Sequence, residues 1–312
     1  MIKFKLIIAL IVFTHNMFAQ DTFTSEDILI KNDSIQLPGT LTYNADLKSQ
    51  PLIIFIHGSG NVDRNGNQGM MAKANYIKML NDSLVSKDIA FFRFDKRTAT
   101  QSNMRFIMSN MTFEGFVDDV NTIINTFKDD NRFSSITLIG HSQGSLIAML
   151  VDHTYVDKYI SLAGPSNSID QTLVEQIRFQ NGDDMANKVE SHFKELYEKG
   201  HIENVDPMLM SIFNKPTQPF ILSWMKYNPS EEIKSVKLPI LILNGSKDLQ
   251  VPIRDAETLH AANPNSKLVI IENMNHVLKS IEKDEDNITS YMSPDFPLSE
   301  ELIQVIETFI KH

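Results

Sequence analysis

Short, β-rich apolar runs recur along the chain at Leu52 to Ile56, Ile89 to Phe94, Ile136 to Ile139, Lys158 to Leu162, Pro239 to Leu243 and Leu268 to Ile271. Most are apolar at nearly every position, so each strand needs cover on both faces. That is the pattern of a parallel sheet flanked by helices. Helical periodicity fills the gaps. Between Phe113 and Phe127, apolar residues fall at Phe116, Val120, Ile123, Ile124 and Phe127, a stripe of 3.6-residue period. Gln143 to Val151 and Leu302 to Ile310 read as further helices. The stretch from Ile28 to Tyr43 has β-like segments divided by Pro38-Gly39, a turn dipeptide, and predicts an antiparallel start. Strand–helix alternation of this kind predicts an α/β fold, a mostly parallel sheet with helices on both faces.

The rhythm breaks once. From Ser166 to Val236 there is no good strand, while Leu173 to Arg178, Ala186 to Glu198 and Pro207 to Phe213 read as helical, and Pro216 and Pro219 punctuate the end. This predicts a helical insertion over the sheet, residues 166–236, between two parts of one core, residues 21–165 and 237–312. The first twenty residues stand apart. Lys3 and Lys5 precede the apolar run Leu6 to Phe13, and Ala19-Gln20 suits a cleavage site. The run is too short to span a bilayer. Residues 1–20 are therefore expected to be a signal peptide, and the product to be exported, periplasmic or secreted, without stable membrane insertion.

Composition narrows the chemistry. The chain has 312 residues and no Cys, which excludes disulfides, thiolate metal sites and a cysteine nucleophile. Lys and Arg total 29 against 39 Asp and Glu, a net charge of −10, which argues against nucleic-acid binding. Loss of Lys3 and Lys5 with the leader would bring this to 27 − 39 = −12. There is no H-E-x-x-H run and no His pair at obvious ligand spacing, so neither a metal nor another cofactor is expected.

Gly140-His141-Ser142-Gln143-Gly144 is a G-x-S-x-G motif between the predicted strand ITLI and the predicted helix SLIAMLV. A nucleophile on so sharp a turn takes strained dihedrals, and side chains on either side would clash, which accounts for the two glycines. The helix that follows points free N–H groups and a positive dipole end at the site. A serine hydroxyl needs a base. His276 follows the last predicted strand in the loop Met274-Asn275-His276, at the sheet edge where α/β active sites form. Asp248 follows the strand LPILILNG at the same edge and would orient the imidazole; Asp170 is a weaker rival. The order Ser142, Asp248, His276 is the one expected of such a sheet. The loop His57-Gly58-Ser59-Gly60 after the strand PLIIFI would supply one oxyanion donor, the amide of Ser59, and Gln143 the other. The side chain of His57 is expected to order this loop rather than to transfer protons.

From Ile28 to its end the chain resembles the α/β-hydrolase superfamily. The loop HGSGNVDRNG, His57 to Gly66, is similar to the H-G-S-G-x-x-D-R oxyanion loop of a bacterial serine-esterase branch, related to serine aminopeptidase-like hydrolases. Phe94-Asp95-Lys96-Arg97 resembles a second signature of that branch, D-K-R-G, with Thr98 in place of the Gly. The resemblance implies Ser142 as nucleophile, Asp248 as acid and His276 as base, and an insertion that caps the site. Asp63, Arg64 and Arg97 match its motifs without a derivable role beyond ion pairs that brace the loops. Phe193, Met208, Met210, Phe213, Phe220 and Trp224 could line an acyl pocket or pack the cap onto the core.

These features point to a metal-independent serine hydrolase of carboxylic esters with small or medium acyl groups, acting on small-molecule esters through an acyl-enzyme. An aminopeptidase or thioesterase of the same fold is the alternative, and a non-catalytic binding protein a more distant one. The oligomeric state is not legible.

Overall fold

A computed structural model describes residues 23–312 apart from 71, 109 and 110. The expected signal peptide, residues 1–20, lies outside the described residues. Eight strands form one sheet: β1 (Phe23–Asn32), β2 (Ile35–Asn44), β3 (Gln50–Ile56), β4 (Ala90–Phe94), β5 (Phe133–His141), β6 (Lys158–Leu162), β7 (Ile240–Gly245) and β8 (Lys267–Ile271). Their order is β1-β2-β4-β3-β5-β6-β7-β8. β2 is antiparallel to both β1 and β4, and every other pair is parallel.

The near-continuous apolar strands have the reason inferred from the sequence. Successive side chains of a strand point to opposite faces, and here each face meets its own core. Leu52, Ile54 and Ile56 of β3 pack with Phe116, Val120 and Ile123 of the helix Glu114–Phe127. Their neighbours Ile53 and Phe55 pack on the opposite face with Leu80 and Leu84 of the helix Tyr76–Val85 and Leu302 of the helix Glu300–Lys311. Strand β7 divides the same way, with Ile240 and Ile242 on the first face and Leu241 and Leu243 on the second.

The hairpin turn falls elsewhere than expected. β1 and β2 are joined at Asp33-Ser34, where Asp33 takes φ 52°, and Pro38-Gly39 lies inside β2 opposite Leu29 and Ile28. Asp tolerates the left-handed region in tight turns. Gly39 is needed for packing instead, since a Cβ there would stand 2.3 Å from the Phe92 ring. The Pro38 carbonyl accepts from the Asp95 amide at 2.7 Å. The helix Tyr76–Val85 went unread because its stripe, Tyr76, Ile77, Leu80 and Leu84, is short and includes the buried polar Asn81.

Between β6 and β7 the described chain is helical, with Ile169–Asn181, Asp183–Lys199 and Gln218–Trp224 as its longer pieces. Val189, Phe193, Leu196, Leu209, Phe213 and Ile221 form a separate small core within it.

Two local contacts fix the loops at the carboxyl edge. The helix Gln143–Leu150 approaches the end of β3 so closely that a Cβ on Gly144 would lie 2.2 Å from the Ile56 carbonyl oxygen. Gly140 is confined in turn by the Gly144 carbonyl, 2.4 Å from where its Cβ would stand. Nearby, Arg97 is bidentate to Asp119 at 2.6 and 2.7 Å, with both side chains buried. Asp119 also accepts from Asn32 at 2.9 Å, so the pair ties the loop after β4 to a helix and to the first hairpin.

Two stability predictions follow from these contacts. Ala normally favours a helix over Gly by about 1 kcal/mol, yet Gly144→Ala should lower unfolding stability in urea by about 2 kcal/mol because backbone must move. Arg97→Met should cost roughly 3 kcal/mol by leaving Asp119 buried and uncompensated. The double replacement Arg97→Met with Asp119→Leu should recover most of that loss, and a double variant no more stable than Arg97→Met would contradict it.

Candidate active site

The five loops at the site leave the carboxyl ends of the parallel strands β3, β4, β5, β7 and β8, and each brings one element of it. Ser142 directly follows β5 and caps the helix Gln143–Leu150 at φ 52°, ψ −120°. A non-Gly residue in this region costs of order 1–3 kcal/mol and persists only where its surroundings impose it. They do so here: the Ser142 amide donates to the Leu162 carbonyl at 2.9 Å, and the glycines at 140 and 144 let the turn pack where a Cβ would clash.

His276 lies in the loop after β8 and Asp248 in the loop after β7. His276 Nδ1 is 2.8 Å from Asp248 Oδ2. The Asp248 side chain is fully buried, and its other oxygen accepts from the amides of Gln250 and Val251 at 2.8 and 2.9 Å. With both carboxylate oxygens engaged, Asp248 presents an oriented acceptor, so Nδ1 carries the proton and Nε2 is left as the basic nitrogen. Asp170, the rival acid, stands instead in the first turn of the helix Ile169–Asn181 and does not line the cavity with Ser142.

The two other histidines at this edge are structural. His57 Nε2 donates to the Phe94 carbonyl, as expected of a loop-ordering residue, and burial reinforced by the Lys96 charge pushes its pKa down to about 3. His141 Nε2 donates to the His276 carbonyl at 2.8 Å, and its Nδ1 accepts from the Tyr76 hydroxyl at 3.3 Å. Burial, with His276 close by, holds the His141 ring well below the usual histidine range. Both rings are therefore neutral spacers, and His141 positions the main chain that carries His276.

Ser59 and Gln143, the expected oxyanion donors, share a cavity of about 570 Å³ with Ser142 and His276. The Gln143 amide opens a helix, where a first-turn N–H has no intrahelical acceptor. The Ser59 loop is held from behind: Gln68 donates to the Ser59 carbonyl at 3.3 Å, and Lys96 Nζ donates to the Gly58 carbonyl at 2.7 Å. The branch-motif charges brace this scaffold. Arg64 holds Asp95 by its backbone amide at 2.9 Å and by side-chain bonds at 3.1 and 2.8 Å, and Asp63 accepts from the amides of Asn65 and Asn67 at 2.8 and 2.9 Å.

Apolar lining comes from Met111, Phe116, Leu173, Phe220 and Trp224. Of the six insertion residues that could line a pocket, Phe220 and Trp224 do so, Phe193 and Phe213 pack inside the insertion's own core, and Met208 and Met210 are exposed. Helical spacing alone does not tell an inward face from a face turned to the sheet. The sequence reading also missed Lys96, His141 and Tyr76 as parts of the site. The signal for Lys96 was its place in the D-K-R motif, and that for His141 its position beside Ser142. Among the described residues no cluster of His, Asp and Glu suited to a metal ion occurs, and no helix is long and apolar enough to cross a membrane.

Comparison with known proteins agrees with this architecture. The Hydrolase_4 family model, described as serine aminopeptidase S33, matches residues 67–209, which include Ser142 but end before Asp248 and His276. The esterase EstD of Thermotoga maritima is 23% identical over 265 residues, 83% of this chain; the chain spans 61% of that protein's length. Among solved structures, the Pyrococcus furiosus esterase Pf2001 is similar with a TM-score of 0.60 at 18% identity, covering 93% of this chain and 91% of its own. Est1E from Butyrivibrio proteoclasticus gives 0.57 at 16% identity, covering 92% and 99%. With its strand order, its strained serine turn and these likenesses, the chain has the α/β-hydrolase fold.

Proposed function

We propose that the chain is a serine hydrolase of carboxylic esters with small or medium acyl groups. The observation that carries this reading is a strained serine sharing one cavity with a histidine whose far nitrogen is anchored on a fully buried carboxylate. Ser142 Oγ attacks the ester carbonyl while His276 Nε2 takes its proton. The amides of Ser59 and Gln143 hold the oxyanion, each such donor contributing about 3 kcal/mol to the transition state. His276 then returns the proton to the leaving alcohol, an acyl group remains on Ser142, and a water activated by His276 releases it. Asp248 keeps the tautomer and stabilises the imidazolium.

The cavity volume of about 570 Å³ lies in the range of small-molecule sites, and its charge lining supports esters over aminoacyl substrates. No Asp or Glu lines it among the described residues, and its charged lining group is Lys96. A substrate's free α-ammonium would meet a cation and no counter-charge, whereas an uncharged ester meets no penalty.

Ser142→Ala should lose roughly 10⁶-fold in kcat toward p-nitrophenyl esters while keeping its circular dichroism spectrum. Asp248→Asn should lose roughly 10⁴-fold through the wrong tautomer. Retention of most activity by either variant would remove that residue from the mechanism. A panel of aminoacyl anilides should be turned over far more slowly than the esters, and the reverse order would favour a peptidase.

A further inference from the structure

Lys96 is the one charged group in the cavity wall that the mechanism above does not use. It follows β4, is 4% exposed, and lies between Asp95 and Arg97, whose charges are satisfied by Arg64 and Asp119. Lys96 itself forms no ion pair with a carboxylate among the described residues. Its Nζ donates instead to the Gly58 carbonyl at 2.7 Å and to Gln143 Oε1 at 2.6 Å, and stands 4.6 Å from the centre of the Phe116 ring. A buried cation without a counter-ion is expensive. A methionine would fill the same space against Phe116 without that cost. The two acceptors are what distinguish the site, since they belong to the two regions that carry the oxyanion donors.

We infer that Lys96 is a positioning residue of the oxyanion hole, gripping the Gly58 carbonyl and the Gln143 side chain together so as to aim and polarise the Ser59 amide. This rests on the functional reading above. The Gly58 carbonyl and the Ser59 N–H belong to one planar trans peptide and point in opposite directions. Holding the oxygen from behind therefore sets the direction of the N–H on the cavity side. A cation on that oxygen also withdraws electron density from the peptide, which makes the N–H a stronger donor to a developing oxyanion. The second bond ties the same ammonium to the first residue of the helix Gln143–Leu150, so the two donors are held in register across β3, β4 and β5.

A lysine that polarises the Ser59 peptide has a pH signature that a purely structural lysine would lack. Burial pushes the Lys96 ammonium down to about 7, opposed in part by Asp119. The groups that face it are Asp119, already bound to Arg97, and the buried neutral ring of His57, with His141 and His276 in the same cavity wall. Below its pKa the ammonium is charged and polarises the peptide. Above it, the neutral amine still has two N–H groups for its two acceptors. Bracing persists and polarisation weakens, so kcat should fall with rising pH to a lower plateau, not to zero. Acylation and deacylation both pass through the same oxyanion hole, so either as the slow step reports the effect.

The test is kcat and KM for p-nitrophenyl butyrate from about pH 6 to pH 9, with wild type, Lys96→Met, Lys96→Arg and Ser142→Ala. Lys96→Met should lose roughly 10- to 100-fold in kcat, less than removal of a whole donor, with KM little changed. The wild-type fall above neutrality should be missing from Lys96→Met, and Lys96→Arg, charged throughout, should also lack it. Wild-type kcat in Lys96→Met overturns the inference, and so does a loss with an unchanged pH profile. Should Lys96→Met fail to fold, the wild-type profile decides, and a rate that stays level across this range overturns it. Absence of Ser142-dependent turnover in the wild type overturns this inference and the functional reading together. Ser142-dependent turnover with no effect at Lys96 overturns this inference alone.

Discussion

Between Gly144 and the Ile56 carbonyl there is no room for a Cβ atom, and the site is built around that contact. The helix after β5 can start against the end of β3 only because its second residue has no side chain. Starting there, it forces the intervening residue into a conformation that costs energy, and Ser142 occupies it. The same approach brings the Gln143 amide beside the loop that follows β3, which carries Ser59. The proposed nucleophile and both proposed oxyanion donors are thus placed by one backbone-to-backbone contact, made possible by sheet order β3-β5.

The charged groups around this point have separate duties. Arg64 with Asp95 and Arg97 with Asp119 are paired and largely enclosed, and they hold the loops after β3 and β4 to the hairpin and to the helix Glu114–Phe127. The neighbouring Lys96 spends its donors on two oxygens that carry no formal charge. Paired charges brace a scaffold at little cost in field, whereas an uncompensated cation keeps its field and projects it along the peptide it touches. The histidines divide likewise. His57 and His141 are buried as neutral rings and spend their hydrogen bonds on backbone, and His276 alone is tied to a carboxylate.

Much of this was legible in the residues themselves. Strands covered on both faces must be apolar throughout, so β3 to β8 announce themselves as runs. A serine on a sharp turn needs glycines around it, so Ser142 stands out by its neighbours. Asp248 and His276 were found because each follows a strand, and strand ends of a parallel sheet converge on one edge. The hairpin turn was misplaced because Pro38-Gly39 has the composition of a turn, and only the Phe92 ring against Gly39 explains why that dipeptide belongs inside β2.

What the tertiary structure alone decided is which distant groups meet. Lys96 reads in the chain as one cation in a charged tetrapeptide, and nothing local says that its partners lie at residues 58 and 143. The insertion shows the same limit: its periodicity predicts helices, but whether Phe220 or Phe213 faces the cavity depends on how those helices lie against one another and against the sheet. Local pattern determines elements, strand ends and the strained serine turn, because those depend on neighbours within a few residues. Partnership between loops, and the lining of a cavity, depend on the packing of whole elements, which no short stretch of the chain encodes by itself.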